Sequence, residues 1–271
     1  MSLTLTLREA PSAPVDGRTL TFDRLAHLGA PDVARLPLRH GNRRGRVGDL
    51  FAVAGRPDDE VRIEGDLGAV DGIGARMTRG RVIVSGTAGA HTGAEMRGGE
   101  VLVEGDTAAF TGAEMRGGLI VVRGSAGDGV GASYPGRRAG MRGGEILVHG
   151  DAGEQAGAGL RRGLVAVAGR TGALAGFRML AGTLVALGAL GPHPGADMRR
   201  GTIVAMSAPA LLPTFRFACS YRPPHLRMVL RRLAEIGAPV GAEHVDGRYA
   251  RWSGDALDLG RGEILVLEGS R

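Results

Sequence analysis

A motif of 19 residues returns along the middle of this chain, and no other sequence feature limits its fold so tightly. Residues 81–99 read RVIVSGTAGAHTGAEMRGG and residues 100–118 read EVLVEGDTAAFTGAEMRGG. The unit 119–144 carries seven extra residues, Ser133 to Ala139, before its ending GMRGG, and the units 145–163, 164–182 and 183–201 keep the frame. A degenerate first unit covers Glu60 to Gly80 and a last one runs from Thr202 to Ser220, which makes eight units. Short fixed periods mark stacked-repeat architectures, in which each unit buries its apolar face only against its neighbours.

The columns of the repeat carry the physics. Position 2 is Val61, Val82, Val101, Ile120, Ile146, Val165, Leu184 and Ile203, and position 4 is Ile63, Val84, Val103, Val122, Val148, Val167, Ala186 and Ala205. Short runs of β-branched residues ending at glycine read as strands. Position 6 is Gly65, Gly86, Gly105, Gly124, Gly150, Gly169 and Gly188; a corner that needs positive φ is the expected reason for it. Position 16 is Met77, Met96, Met115, Met141, Leu160, Met179, Met198 and Phe217, a flexible apolar column expected to stack inside. A strand, a corner, a second short extended stretch and a Gly-Gly corner describe one coil of a parallel β-helix. The fold class is therefore all-β, a right-handed parallel β-helix of about eight 19-residue coils, the hand following from the rule for parallel crossovers. Such a reading explains why 48 of 271 residues are glycine, in neither linker-like nor collagen-like patterns.

Open coils need covers. Residues 1–59, with alternating Leu3, Leu5 and Leu7, are expected to cap the first coil; 60–220 form the repeats; 221–271 supply a C-terminal helix and strand cap. Pro223 and Pro224 open that helix, Leu226, Val229, Leu230, Leu233 and Ile236 form its apolar face, and Gly237 closes it. The strand Gly262 to Leu267 is expected to pair back.

All 34 basic residues are Arg, so chemistry that depends on a lysine amine is excluded, Schiff bases and the phosphate-loop lysine among it. The single Cys219 allows neither an internal disulfide nor a cysteine-based metal centre. With no apolar run of membrane-spanning length and no signal-peptide pattern, the chain reads as cytoplasmic. The seven histidines offer no pair at ligand spacing: His91 and His193 share position 11 but stand five coils apart. Gly-rich stretches such as Gly127 to Gly131 recur on coils and do not open the helix a dinucleotide motif requires. No catalytic constellation and no metal site emerge.

One column has a functional flavour. Arg follows the Met position at Arg97, Arg116, Arg142, Arg161 and Arg199, doubled by Arg162 and Arg200. Residues 61–220 hold 17 Arg against 13 acids, so the excess charge lies on the repeats. An Arg ladder can grip a polyanion or the carboxylates of a partner; solvated turn residues, offset in part by Glu95 and Glu114, are the plainer reading. Nucleic acid is not expected, because only ten aromatic residues are available for stacking. The inserted loop, with Tyr134, Arg137 and Arg138, is expected to project and touch a partner.

The Gly-Ala-x-Met-x-Gly-Gly ending, the stretch Gly41-Asn42-Arg43 through Gly48-Asp49-Leu50-Phe51 and the end Leu259 to Val266 resemble the C-type subunit of formylmethanofuran dehydrogenase. The coil is also similar to the C-terminal domain of the large glutamate synthase subunit. The resemblance implies a one-carbon complex with three further kinds of subunit: a zinc amidohydrolase-like one (A-type), a formyltransferase (D-type) and one more (B-type). In methanogens tungsten or molybdenum redox subunits join it. The bacterial formyltransferase/hydrolase complex lacks them, passes a formyl group between tetrahydromethanopterin and a methanofuran analogue, and hydrolyses it to formate. The resemblance implies no catalytic residue or cofactor in this chain, zinc and both pterin and furan carriers being held by partners, and it casts the chain as a non-catalytic scaffold. It also suggests that the Arg ladder steers the polyglutamate tail of the furan carrier. Arg without Lys points to a GC-rich genome and so to the bacterial form; a detached glutamate-synthase-like domain is the remaining alternative.

Overall fold

In the computed structural model, which describes residues 2–56 and 58–269, every repeat opens with a strand that pairs in parallel with the same strand of the next unit. The register is the one that the columns demand: Val82 faces Val101, Val101 faces Ile120, Ile120 faces Ile146, Ile146 faces Val165, Val165 faces Leu184, and Leu184 faces Ile203. A slip of one residue would turn every inward side chain outward, so the apolar pattern itself holds the register. These rungs form most of a 13-stranded, mostly parallel sheet. A second column of isolated parallel bridges runs in the same order through Leu67, Ala88, Thr107, Ala126, Ala152, Thr171 and Leu190, at position 8 of each unit.

Positions 2 and 4 point to one side of the sheet and are buried there together with the position-16 column, from Met77 through Met198. The methionine tips reach across the spacing between units. The Met96 methyl lies 2.6 Å from where a Cβ on Gly118 would stand, and the Met115 methyl 2.8 Å from a Cβ on Gly144.

The glycines are required for two different reasons. At position 6 only Gly65 and Gly86 have positive φ, so the expectation of a left-handed corner fails for the other five members of that column. Those five are held to glycine by closeness of backbone. A Cβ on Gly188 would lie 2.2 Å from the Gly169 carbonyl oxygen of the preceding unit, and one on Gly169 would lie 2.6 Å from that of Gly150. Left-handed residues sit at the closing glycine of each unit, such as Gly99 and Gly118, and at positions 11, 13 and 15, where glycine holds position 13 while His91, Phe110, Gln155, Glu95, Glu114, Arg178 and Asp197 take φ between 52° and 62° at the others.

Both ends of the sheet are finished differently from the repeats. Leu3–Leu7 forms the rung before Glu60–Glu64, Leu3 against Val61 and Leu5 against Ile63, and Phe51–Ala54 closes that edge in antiparallel fashion. A four-stranded sheet of Arg43–Arg46, Pro37–His40, Val15–Asp16 and Val70–Asp71 flanks it. At the other end Arg261–Leu267 pairs in parallel with Arg200–Ala205, Ile203 against Ile264, and so supplies the rung that the last repeat does not continue. Tyr249–Gly254 and Arg216–Tyr221 then extend the edge antiparallel.

Two expectations for this end are corrected. Phe217 does not extend the inner methionine column: it is 56% exposed and meets Trp252 edge-on, while Phe215 is the ring that enters the core. The last unit has lost the repeat's glycines, so its chain runs on into an antiparallel strand and never makes the inward corner. The helix Pro224–Glu235, in turn, lies along the sheet and not across its end. Its Leu226, Leu230 and Leu233 pack on the outward position-3 side chains Val121, Leu147, Ala166, Val185 and Val204, forming a second core. Burial of each such leucine contributes about 1.5–3 kcal/mol. Arg232 clamps the helix to Glu145 at 2.9 Å, and the buried Tyr249 hydroxyl donates to the His244 carbonyl at 2.7 Å, its pKa pushed up by burial to about 12.

Candidate functional site

The left-handed residues at positions 11 and 15 turn their side chains away from the core, and in successive units they line up on one face. His91 and Phe110 occupy position 11 of neighbouring units, and their rings stack at 5.5 Å with 11° between planes. Tyr134, from the inserted loop, closes over both at 5.5 and 5.3 Å, its hydroxyl 3.1 Å from His91 Nδ1. Burial, with Glu95 and Glu114 nearby, pushes the Tyr134 phenol above its ordinary pKa.

Glu114 anchors the loop from below. Although ionisable, it is only 3% exposed, and its carboxylate accepts a bond of 2.6 Å from Arg137 Nη1 and a longer one of 3.4 Å from the Tyr134 N–H. A buried carboxylate demands such a partner. The pair fixes the loop as a wall between two grooves.

The first groove, about 900 Å³, lies between the inserted loop and the segment that carries Leu257 and Asp258. Arg137, Arg138, Arg178 and Arg199 face it, with Phe110, Phe177 and Leu180 as its apolar lining. Arg178 lies 4.8 Å from the Phe177 ring centroid and 3.5 Å from the Asp197 carboxylate, and Arg199 pairs with Asp258 at 2.7 Å. The second groove, about 600 Å³, is lined by His91 and Tyr134 together with Arg18, Arg39 and Arg76 and the acids Asp16, Asp71 and Glu95. Hydrogen bonds from Arg18 to Asp16 and from Arg76 to Glu95 hold both carboxyls below their usual range.

Of the residues singled out from sequence, the structure brings Tyr134, Arg137, Arg138 and Arg199 together at the first groove. The remaining ladder, Arg97, Arg116, Arg142, Arg161, Arg162 and Arg200, is exposed along one edge. The backbone N–H groups of Arg97, Arg116, Arg142, Arg161 and Arg199 each donate to the methionine carbonyl one unit back, which spaces them by one rung, about 4.8 Å. Leu180 interrupts the column between Arg161 and Arg199. Among the described residues Arg97, Arg142, Arg161, Arg162 and Arg200 have no side-chain ion pair, and Arg116 acts at a distance to lower the Glu95 pKa. No group of three or more His, Cys, Asp or Glu side chains is placed to hold a metal ion among the described residues, and no helix there is long and apolar enough to cross a membrane.

Phe110, Phe177 and Arg178 carry no role in the sequence reading, and Glu114 enters it only as an acid that offsets the Arg column. For Phe110, Glu114 and Arg178 the signal was present, because aromatic and charged residues at positions 11 and 15 of consecutive units must be neighbours one rung apart; Phe177, at position 14, lies outside those columns.

Fold and surface together define a chain of stacked sheet repeats whose outward columns line two grooves. No protein-family model matches the chain. A chain in the X-ray crystal structure of the formyltransferase/hydrolase complex (FhcABCD) from Methylorubrum extorquens, in complex with methylofuran, is 35% identical with a TM-score of 0.91, covering 97% of this chain and 98% of that one. The C-type subunit of the tungsten-containing formylmethanofuran dehydrogenase 2 from Methanothermobacter wolfeii is 35% identical over 87 residues, 30% of this chain and 32% of the relative. The C-type subunit of the molybdenum-containing formylmethanofuran dehydrogenase 1 from Methanothermobacter thermautotrophicus is 34% identical over 78 residues, 28% of this chain and 20% of the relative. The chain thus matches about a third or less of the length of these curated relatives. It belongs to the family of C-type formylmethanofuran dehydrogenase subunits, to which the formyltransferase/hydrolase complex is also related.

Proposed function

We propose that the chain is the non-catalytic scaffold subunit of a formyltransferase/hydrolase complex, built as a right-handed parallel β-helix with residues 1–59 and 221–271 as its end segments. The observation that carries this reading is the likeness, along nearly the whole of both chains, to a chain of the complex crystallised with methylofuran. In this reading a zinc amidohydrolase-like partner, a formyltransferase partner and a third, B-type partner bind around the stacked units in the cytoplasm. Those partners hold zinc, tetrahydromethanopterin and the methanofuran analogue. Formyl transfer between the two carriers, and hydrolysis to formate, belong to the partners, and this chain supplies the frame.

A tag on this chain in its own organism, followed by native mass spectrometry and metal analysis, tests the reading. Amidohydrolase and formyltransferase partners with zinc, and the absence of activity in the isolated chain, are the expected results. Formyl transfer or formylmethanofuran hydrolysis by the isolated chain would refute it. A second reading, the C-type subunit of a tungsten or molybdenum dehydrogenase, is favoured by the names of the curated relatives and predicts one of those metals in the same sample.

A further inference from the structure

We infer that the first groove, together with the Arg column that runs into it, docks an acidic segment of another subunit that also carries an apolar anchor. The inference deepens the scaffold reading and rests on it.

Three observations point to this occupant. The first is an apolar rim in water: Leu257 is 79% and Leu259 65% exposed, beside a groove lined by Phe177 and Leu180. The rim is not a loose end. Asp255, 1% exposed, accepts the Leu257 N–H at 3.0 Å and the Asp197 N–H at 3.1 Å, and so pins the segment in place. Fixed, exposed apolar side chains beside a cleft mark surfaces that another molecule covers.

Charge is the second observation. Arg137, Arg178 and Arg199 are each matched by an acid, Glu114, Asp197 and Asp258, but Arg138 faces the groove with none among the described residues. Next along the column, Arg161 and Arg142 lie exposed without ion pairs at intervals of one rung. Like charges repeated at about 4.8 Å repel one another and await an external anion.

Symmetry is the third. A second copy meeting this face in a two-fold contact would set the Arg column against itself. The surface therefore selects a different polypeptide, with carboxylates spaced to meet Arg138 and Arg161 and an apolar residue for the cleft. Tyr, Arg and Phe at its centre are the residue types that dominate protein interfaces.

The test uses the whole complex purified through this chain. A photo-crosslinking phenylalanine replaces Leu257, whose exposure leaves the fold untouched, and irradiation precedes peptide mapping. The expected product joins position 257 to a peptide of another subunit in which Asp and Glu outnumber Arg and Lys. Arg138→Glu with Arg161→Glu lowers its yield about tenfold and brings down the salt concentration at which that subunit dissociates; Arg138→Gln with Arg161→Gln does so by less. An adduct with a second copy, with nucleic acid or with a low-mass acid overturns the inference. So does no adduct, or a yield indifferent to charge. If partners co-purify but the adduct fails, the groove assignment falls while the scaffold reading stands. If no partner co-purifies, the scaffold reading itself falls.

Discussion

Replacing Gly117 by Ala separates two reasons for glycine that the Gly-Gly corner combines. Gly117 needs no positive φ, yet a Cβ there would stand 2.5 Å from the Arg97 carbonyl oxygen of the preceding unit. That falls roughly 0.8 Å short of an ordinary C···O contact of about 3.3 Å. The oxygen is backbone and the Cβ is fixed rigidly to the backbone stacked above it, so neither atom can swing aside. Relief requires the two units to part, and the neighbouring bonds from Arg116 N–H to Met96 O, 2.7 Å, and from Leu119 N–H to Gly99 O, 3.0 Å, would stretch with them. Overpacking that cannot relax costs about 3 kcal/mol, which for a chain of this size lowers the melting temperature by roughly 6 °C or more. Gly136 is the control: its φ is +80° but a Cβ there meets nothing within 4 Å. Gly136→Ala carries only left-handed strain of about 1–2 kcal/mol, offset in part by a gain of about 0.4–1 kcal/mol from a stiffer unfolded chain. Thermal unfolding followed by circular dichroism compares the two. If Gly117→Ala melts as high as Gly136→Ala, close stacking of backbone is not what reserves the position for glycine.

Met115→Ala, at a site with no exposure, empties one rung of the inner column and should cost about 2–5 kcal/mol in denaturant unfolding; a loss under about 1 kcal/mol would mean that Met96 and Met141 close the gap. Arg137→Ala strands the Glu114 carboxylate and should destabilise the inserted loop by about 3 kcal/mol or less, Arg137 being largely exposed, and speed its proteolysis. Adding Glu114→Gln should restore much of that loss, and a double mutant no better than Arg137→Ala would contradict the pairing. His149 is held neutral by burial and by Arg123, whose Nη1 donates to its Nε2 at 3.0 Å, so its pKa lies below the ordinary 6.5. The unfolded chain then takes up the proton first, and stability falls as pH drops below 6.5 towards the folded value. Melting temperatures between pH 7.5 and 5.5 should show this loss in the native chain and less of it in His149→Gln.

The rungs were legible because inward positions 2 and 4 are almost all β-branched or Leu, and a parallel register follows directly from a constant unit length. The left-handed columns were not. Arg76, His91, Glu95 and Phe110 carry side chains that ordinarily avoid positive φ, and only the alternation with Gly74 and Gly93 hints at the turn they share. The aromatic cluster was half hidden for a related reason: residue type pairs His91 with the distant His193, whereas its neighbour in space is the Phe110 of the next unit. Placement of the helix escaped because an apolar helix face fits the end of the stack or its side equally well. The outward Val121, Leu147, Val185 and Val204 at position 3 were the residues that decided it.

Because Phe51–Ala54 at one end and Tyr249–Gly254 near the other run against the repeat strands, the parallel succession of rungs is broken off at both ends among the described residues. The stack therefore has a fixed count, set by the gene and indifferent to concentration. Adding or removing one whole 19-residue unit would leave both terminations intact and change the distance between them by one step of about 4.8 Å. The protein is in this sense a ruler with stopped ends, and the separation of those ends is graduated in whole repeats.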